Sequence, residues 1–82
     1  MVMETSRNFI ESLSRGLSIL SVLSESPFPL NLTELSNQLH LSLSTVQRLT
    51  FTFQHLGYLD RDWETKKFRL GPKSISLSLS VM

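Results

Sequence analysis

Hydroxyl, amide and guanidinium groups are concentrated in one short stretch of the chain, at Ser42, Ser44, Thr45, Gln47 and Arg48. If this stretch begins a helix, its hydroxyls and free backbone N–H groups are suited to bind phosphate oxygens. The side chains of Gln47 and Arg48 are long enough to reach base edges, where glutamine suits adenine and arginine suits guanine or a phosphate. The same residues also fit the solvated face of an ordinary amphipathic helix, so the neighbouring elements must decide between the two interpretations.

A second group of cations follows at Lys66, Lys67 and Arg69. Such side chains can bind phosphates beside a groove that a helix occupies. Lysines on an exposed edge strand also prevent edge-to-edge aggregation, and both roles can hold together. Residues 1–42 carry a net charge of −2 and residues 43–82 a net charge of +3, for a total of +1. The small total charge argues against a strongly basic nucleic-acid binder. The excess of positive charge, however, lies in the half of the chain that holds Arg48 and the cations of residues 66–69.

Side chains that could act in catalysis or bind a metal are few. His40 and His55 are the only histidines and there is no cysteine, so the chain offers no convincing set of metal ligands. It has no glycine-rich phosphate loop, and Asp60, Asp62 and Glu64 fall in an expected turn rather than a pocket. We therefore expect no enzyme, no metal and no cofactor.

The length of 82 residues allows one domain with a modest core. Without cysteine neither a disulfide nor a thiolate metal site can stabilise it, so helix packing must do so, and a reducing cytoplasm is the natural setting. No run approaches the roughly 18 apolar residues that cross a bilayer. We expect a cytoplasmic protein without a membrane partner.

The first expected element is a helix over residues 8–24. Its apolar side chains recur at spacings of three and four, which predicts one buried face made of Phe9, Leu13, Leu17, Leu20 and Leu23. Pro27 and Pro29 push the residues before them toward extended backbone, so this helix must stop by about Ser26.

Two further helices, separated by about three residues, are expected between Thr33 and Gly57. Thr33 before Glu34 is interpreted as the N-cap of a short second helix, which ends near Leu39. Ser42 is the expected N-cap of the third helix, and Gly57 ends it. The buried stripe of this third helix is expected at Val46, Leu49, Phe53 and Leu56. Two helices at this spacing match a helix-turn-helix.

The turn between these two helices lacks its usual glycine. His40 occupies the position that often needs a positive φ, where histidine is tolerated better than most residues but costs about 1 kcal/mol or more relative to glycine. The sequence therefore predicts that His40→Gly raises the Tm.

Two short runs after Gly57, residues 58–61 and 67–70, are typical of a β-hairpin. Phe68 and Leu70 alternate with Lys67 and Arg69, so one strand face can cover the helices while the other carries positive charge. Three helices followed by a hairpin predict a mainly α fold, a winged helix-turn-helix made of a three-helix bundle plus a wing.

The last segment allows two interpretations. From Ser74 to Val81 serine alternates with apolar residues, which is the pattern of a strand. Pro72 after Gly71 instead suits the first turn of a helix.

Phe51 lies on the expected solvent face of the third helix. It could contact a thymine methyl, pack against the wing or sit in a protein interface. We favour the packing explanations.

Three runs of residues in this order and spacing resemble a known family: SLSRGLSILSVLSES, LTELSNQLHLSLSTVQRL and HLGYLDRDWETKKFRLGPK. They resemble the N-terminal DNA-binding domain of the IclR family of bacterial and archaeal transcriptional regulators, over about Ser12 to Leu77. The resemblance implies a recognition helix over residues 42–57 in the major groove and a wing over residues 58–71 on the DNA backbone. It also favours a helix for residues 72–82.

The resemblance assigns roles to three residues. Arg48 matches the arginine of the recognition helix, Thr45 its preceding hydroxyl, and Arg15 an arginine of the first helix that can approach the DNA backbone. The chain departs from the family pattern at His40, where glycine is preferred, and at Thr50 with Phe51, where an apolar residue followed by a small one is more usual.

The full prediction is a winged helix-turn-helix domain over residues 8–71 that binds duplex DNA sequence-specifically, and the start of a linker helix over residues 72–82. The linker would lead to an effector domain that is absent from the chain, and a small-molecule effector would act only through that domain. The implied partner is a pseudo-palindromic operator, bound by a homodimer. The candidate DNA contacts are Arg15, Thr33, Ser42, Ser44, Thr45, Gln47, Arg48, Lys66, Lys67 and Arg69.

A winged helix used only for protein interaction is the alternative. The leucine-rich first helix and Phe51 would then form its contact surface.

Overall fold

A computed structural model describes residues 8–81, which contain four helices and one β-hairpin. In chain order the elements are α1 (Glu11–Glu25), α2 (Leu32–Leu39), α3 (Leu43–Leu56), β1 (Leu59–Arg61), β2 (Phe68–Leu70) and α4 (Pro72–Val81). Helices α1 to α3 pack on one another, and the hairpin packs on α1 and α3. This arrangement confirms the predicted winged helix-turn-helix.

Helix α1 buries only part of the predicted face: the prediction is confirmed at Leu23, which is buried, and at Leu20, which packs against the core. Gly16, Ile19 and Leu23 are buried, whereas Leu13 and Leu17 are 58% and 52% exposed. The absence of a side chain at Gly16 lets the Phe53 ring of α3 approach, since a Cβ at this glycine would lie 3.0 Å from Cζ of Phe53. The expected core face was therefore wrong at Leu13 and Leu17, and also at Phe9, which precedes the helix and is 51% exposed.

The end of α1 agrees with the prediction. The last helical residue is Glu25, and the N–H of Ser26 donates to the Leu23 carbonyl at 3.4 Å. Extended backbone at Ser26 then leads into the segment with Pro27 and Pro29.

The N-cap of α2 is Asn31, so the prediction of Thr33 was wrong. The Asn31 side chain accepts from the Glu34 N–H at 2.8 Å, and the Glu34 carboxylate accepts from the Asn31 N–H at 2.8 Å. This reciprocal capping box satisfies two backbone donors, whereas Thr33 is an exposed residue of the first turn. The end of the helix at Leu39 is as predicted.

His40 ends α2 in the left-handed region, with φ 57° and ψ 42°, as the sequence predicts. Its N–H donates to the Ser36 carbonyl, and the N–H of Leu41 donates to the same oxygen at 3.1 Å. Ser42 then caps α3 by accepting from the Thr45 N–H at 3.2 Å. The turn is thus closed by backbone hydrogen bonds on one side and a side-chain cap on the other.

The core is formed by helices α1 to α3, the hairpin and the link between α1 and α2. Its buried apolar residues are Ile19, Leu23, Leu30, Leu35, Val46, Leu59 and Phe68. In α3 the expected stripe is partly wrong, because Leu56 is 50% exposed and Thr50 is buried. The Thr50 hydroxyl donates to the Val46 carbonyl at 2.8 Å, which removes the cost of burying it.

The hairpin is antiparallel, with Leu59 opposite Leu70 and Arg61 opposite Phe68. A single bridge extends it, since Leu30 and Phe68 exchange N–H to carbonyl bonds of 3.1 and 2.7 Å. The link between α1 and α2 therefore fastens the wing to the helices at the buried Phe68.

The ambiguous last segment is a helix, in agreement with the resemblance and with Pro72 at its first position. The N–H of Gly71 donates to the Tyr58 carbonyl at 2.8 Å, and the Ser74 hydroxyl donates to the same oxygen at 2.7 Å. These bonds hold the start of α4 against the first strand of the wing.

Candidate nucleic-acid interface

The N-terminus of α3 carries a connected group of hydroxyls. The Ser42 hydroxyl donates to Oγ1 of Thr45 at 2.8 Å and lies 3.3 Å from Oγ of Ser44. Ser42 and Ser44 are exposed, and Thr45 is half-buried. The backbone N–H groups of the first helical turn lie beside these hydroxyls, which is the chemistry that binds a phosphate oxygen at a helix N-terminus.

One face of α3 is exposed along most of the helix and bears no carboxylate, because residues 43–56 contain neither aspartate nor glutamate. Gln47 and Arg48 lie on it, as predicted, one turn after Ser44. Phe51 and His55 continue the same face, with their ring centroids 6.2 Å apart and an interplanar angle of 16°. The face therefore combines hydrogen-bonding groups and a permanent cation with an exposed aromatic ring.

Arg15 reaches the same region from α1. It lines a groove between α1 and α3 together with Thr45 and Arg48, and the apolar side of this groove is formed by Leu49 and Phe53. The Arg15 guanidinium lies 3.5 Å from the Glu11 carboxylate, one turn earlier on an exposed surface. Since exposed ion pairs of this kind are weak, the pair leaves the guanidinium able to bind another anion.

The tip of the wing is built on Asp62. Its backbone N–H donates to the Lys67 carbonyl at 2.7 Å, and its own carbonyl accepts from the Lys66 N–H at 2.8 Å. The Asp62 carboxylate accepts from the Thr65 hydroxyl at 2.8 Å. This side-chain hydrogen bond, helped by backbone N–H groups and the positive charge of Arg69, lowers the pKa of Asp62 below its ordinary value of 3.8.

Cations surround this tip in defined positions. Lys66 has a φ of 64°, and its ammonium lies 5.1 Å from the centroid of the Trp63 ring, which is 83% exposed. The Arg61 guanidinium lies 4.7 Å from the centroid of the Phe68 ring and donates to the Lys66 carbonyl at 3.1 Å. The wing thus holds four cations, Arg61, Lys66, Lys67 and Arg69, beside three carboxylates, Asp60, Asp62 and Glu64.

The predicted residues fall into three places. Arg15, Thr45 and Arg48 meet at the groove between α1 and α3, with Ser42, Ser44 and Gln47 on adjoining surface. Lys66, Lys67 and Arg69 lie on the wing, where Lys67 is half-buried and Arg69 faces Asp60 across the hairpin. Thr33 is exposed on α2 and belongs to neither group.

Sequence reasoning missed Arg61 and His55 as parts of this surface. His55 follows Phe51 by four residues, so helical spacing alone places both on one face. Arg61 follows Leu59 by two residues, so it lies on the same side of the strand. Nothing in the sequence indicated that its guanidinium would lie over the ring of Phe68 on this side.

Residues 8–81 contain no group of three histidine, aspartate or glutamate side chains close enough to hold a metal ion. Among the helices in the same range, none is both long and apolar enough to cross a membrane.

Comparison with known proteins gives one consistent family. The family described as the IclR helix-turn-helix domain matches residues 12–62. The chain is 39% identical over 66 residues to the HTH-type transcriptional regulator XynR of Escherichia coli, covering 80% of this chain and 26% of that protein. It is 39% identical over 80 residues to the regulator TsaQ1/TsaQ2 of Comamonas testosteroni, covering 95% of this chain and 28% of that protein.

Solved structures agree. An IclR family transcriptional regulator from Brucella abortus matches with a TM-score of 0.85 and 32% identity, over 96% of this chain and 30% of that one. The Agobacterium tumefaciens repressor BlcR matches with a TM-score of 0.77 and 27% identity, over 89% of this chain and 29% of that one. This chain thus spans less than a third of the length of these relatives. With more than half of its residues matched by the family, the chain belongs to the IclR family, whose DNA-binding helix-turn-helix domain it contains.

Proposed function

We propose that the chain binds duplex DNA sequence-specifically within a transcriptional regulator, with α3 in the major groove and the wing on the DNA backbone. The observation that carries this proposal is the exposed face of α3, which bears Arg48 and no carboxylate. The wing packs against α3 and adds the cations Lys66, Lys67 and Arg69. Such a surface suits a polyanion whose groove edges offer hydrogen-bond acceptors.

Each group of residues has a distinct role in this proposal. Gln47 and Arg48 contact base edges. The remaining candidates contact phosphates and set the register on the duplex: Arg15, Thr33, Ser42, Ser44, Thr45, Lys66, Lys67 and Arg69. Thr33 makes the most peripheral of these contacts, since it stands in the first turn of α2.

A homodimer on a pseudo-palindromic operator is part of the proposal, because one winged module buries only a modest area on DNA. The exposed apolar side chains at the start of the domain offer a surface for the second copy. Phe9, Ile10, Leu13 and Leu17 are each more than half exposed, and they line a shallow trough together with Ser14, Ser18, Ser21, Val22 and Leu39. We propose that a two-fold axis brings this trough on one copy against the same trough on the other and so buries both apolar patches at once.

The setting follows from the relatives. They are regulators that share only 26–28% of their length with this chain, so we propose that effector binding lies outside residues 1–82. Residues 72–82 would begin the linker to that part of the protein. The cytoplasm of a bacterial or archaeal cell is the proposed location, where the operator is accessible.

Selection of duplexes from a random pool tests DNA binding directly. We expect enrichment of one pseudo-palindromic site, and about 1–3 kcal/mol weaker binding for Arg48→Ala with relaxed preference at one position. Lys67→Ala should lower the slope of log affinity against log salt by about one unit without changing the preferred sequence.

Lys73→Ala is the matched charge control for both variants. The Lys73 side chain lies near Gly57, at the opposite end of α3 from Ser42, so its removal should change neither the preference nor the slope. Failure of the parent chain to enrich any duplex at low salt would contradict the proposal and favour the protein-interaction alternative.

Sedimentation at micromolar concentration tests the homodimer. Leu17→Glu should shift the chain to monomer and weaken binding to the full site more than to a half-site. Phe28→Glu, a change at another exposed apolar residue that is 69% accessible, should leave the dimer intact. A parent chain that is monomeric both free and on the full site would contradict this part of the proposal.

A further inference from the structure

Phe51 is the exposed aromatic residue on the face of α3 that we assign to the major groove. Phe51 is 68% exposed, so it packs neither in the core nor under the wing. Packing against the wing, one of the two explanations favoured from the sequence, is therefore wrong, and a protein interface stays an alternative. The ring lies nearly parallel to the imidazole of His55, with centroids 6.2 Å apart and an interplanar angle of 16°. The helix thus presents a supported apolar surface to solvent.

The position of Phe51 along α3 places it among the base-contacting residues. It follows Arg48 by three residues and Ser44 by seven, which keeps all three on one face of a helix. At about 1.5 Å per residue, Phe51 lies about 4–5 Å beyond Arg48 along the helix axis. A duplex that binds Arg48 through the major groove therefore comes within reach of this ring.

The major groove offers few partners for a phenyl ring. The base edges there are hydrogen-bond donors and acceptors, except for the C5-methyl group of thymine. An aromatic ring that met only polar edges would desolvate them without forming hydrogen bonds, which is unfavourable. A thymine methyl gains from leaving water against the ring, so it is the base feature that fits Phe51.

Charge favours DNA over a protein as the occupant of this face. Residues 43–56 contain no carboxylate, and Phe51 stands between the guanidinium of Arg48 and the imidazole of His55. A protein patch would have to match an apolar ring in the middle of hydrogen-bond donors and a cation. The major groove presents that mixture as methyl groups beside acceptor atoms.

We propose that Phe51 contacts the C5-methyl group of a thymine in the bound duplex, with His55 supporting the ring, and so determines specificity at one base pair. This inference rests on the proposed function, because it requires α3 to lie in the major groove. The thymine should be adjacent to, or one further base pair from, the base that Arg48 contacts.

Replacement of thymine by deoxyuridine tests the contact, because it removes only the methyl group. In the duplex selected by the parent chain, each thymine is replaced in turn and the Kd is measured by fluorescence anisotropy. We expect about a fourfold loss of affinity at one thymine per half-site, from the burial of a single methyl group. Phe51→Ala should bind the unmodified duplex more weakly and show no further loss on that replacement.

Two variants control the experiment. Phe51→Leu keeps an apolar side chain and should retain part of the preference for thymine over uracil. Phe28→Ala removes an equally exposed ring from the link between α1 and α2 and should keep the full preference. Far-UV circular dichroism melts establish that each variant is folded.

The outcomes separate this inference from the proposed function. If the parent chain selects a duplex but no uracil replacement weakens its binding, or if Phe51→Ala keeps the parent preference, the thymine contact is refuted while DNA binding stands. Loss of self-association in Phe51→Ala with an unchanged thymine preference would refute it in favour of a protein contact. Selection of no duplex at all would overturn both.

Discussion

His40→Gly should stabilise the domain, because His40 holds a left-handed backbone at the turn between α2 and α3. Its φ of 57° and ψ of 42° lie where a Cβ approaches the following carbonyl oxygen, which costs roughly 1–2 kcal/mol for most residues. Glycine removes that cost but is freer in the unfolded chain, which offsets about 0.4–1 kcal/mol of the gain. The net expectation is a stabilisation of about 0.5–1 kcal/mol.

Loss of the imidazole should not reduce this stabilisation further. The His40 side chain is exposed, and the bonds that close the turn come from the backbone N–H groups of His40 and Leu41 to the Ser36 carbonyl. A glycine keeps both donors. For a domain of this size, the stabilisation corresponds to a rise in Tm of about 2–8 °C in calorimetry or a circular dichroism melt.

His40→Ala is the control that separates backbone strain from loss of the imidazole. Alanine retains a Cβ and tolerates the left-handed region less well than histidine, so its Tm should stay level or fall. An unchanged or lower Tm for His40→Gly would refute the strain argument. An equal rise for both variants would also refute it, since removal of the imidazole would then explain the gain.

Three further outcomes are expected from the hairpin and its junction with α4. Gly71→Ala should lower the free energy of unfolding in urea by about 1–3 kcal/mol. The added Cβ would lie 2.7 Å from the Gly57 carbonyl oxygen and 3.0 Å from the Leu59 nitrogen, so an unfolding free energy equal to that of the parent would contradict this backbone contact. Carboxyl NMR should give Asp62 a pKa below 3.8. The contribution of Asp62 to stability is therefore present above its unfolded pKa and is lost as the pH falls through the lower folded pKa. Thr65→Val should raise the pKa of Asp62, and an unchanged pKa would show that the Thr65 hydroxyl is not the cause. Trp63, the single tryptophan, should show a shifted emission and reduced acrylamide quenching on binding DNA, whereas an unaltered spectrum at saturation would exclude its wing tip from the contact.

The turns and caps of this fold could be predicted because single residues determine them. His40 at a left-handed position, Ser42 as an N-cap and Gly57 at the end of α3 all follow from local backbone chemistry. The error at Thr33 has the same origin, since Asn31 and Glu34 already form an asparagine capping box three residues apart. Thr33 also has a hydroxyl and stands directly before Glu34, but the Asn31 side chain makes the cap.

The buried faces were harder to predict, because apolar periodicity does not show which of two apolar faces meets the core. In α1 the periodicity counts leucines and overlooks Gly16, whose missing side chain admits the ring of Phe53. In α3 it overlooks Thr50, whose hydroxyl is satisfied by its own helix and therefore tolerates burial. Both errors depend on tertiary packing that no local pattern contains.

Both candidate DNA-binding elements are fastened to the same few buried residues, which has a mechanical consequence for the site. The bridge between Leu30 and Phe68 holds the wing against the helices. Val46 of α3 belongs to the same core cluster as Leu30 and Phe68. If α3 and the wing contact DNA together, as proposed, a small change in the core that they share should displace both sets of contacts. Arg48→Ala removes one contact from an intact surface, whereas Phe68→Leu should weaken base-edge and phosphate contacts in parallel. Under the proposed function, specificity would therefore depend on the packing of Phe68 as well as on the side chains proposed to touch the bases.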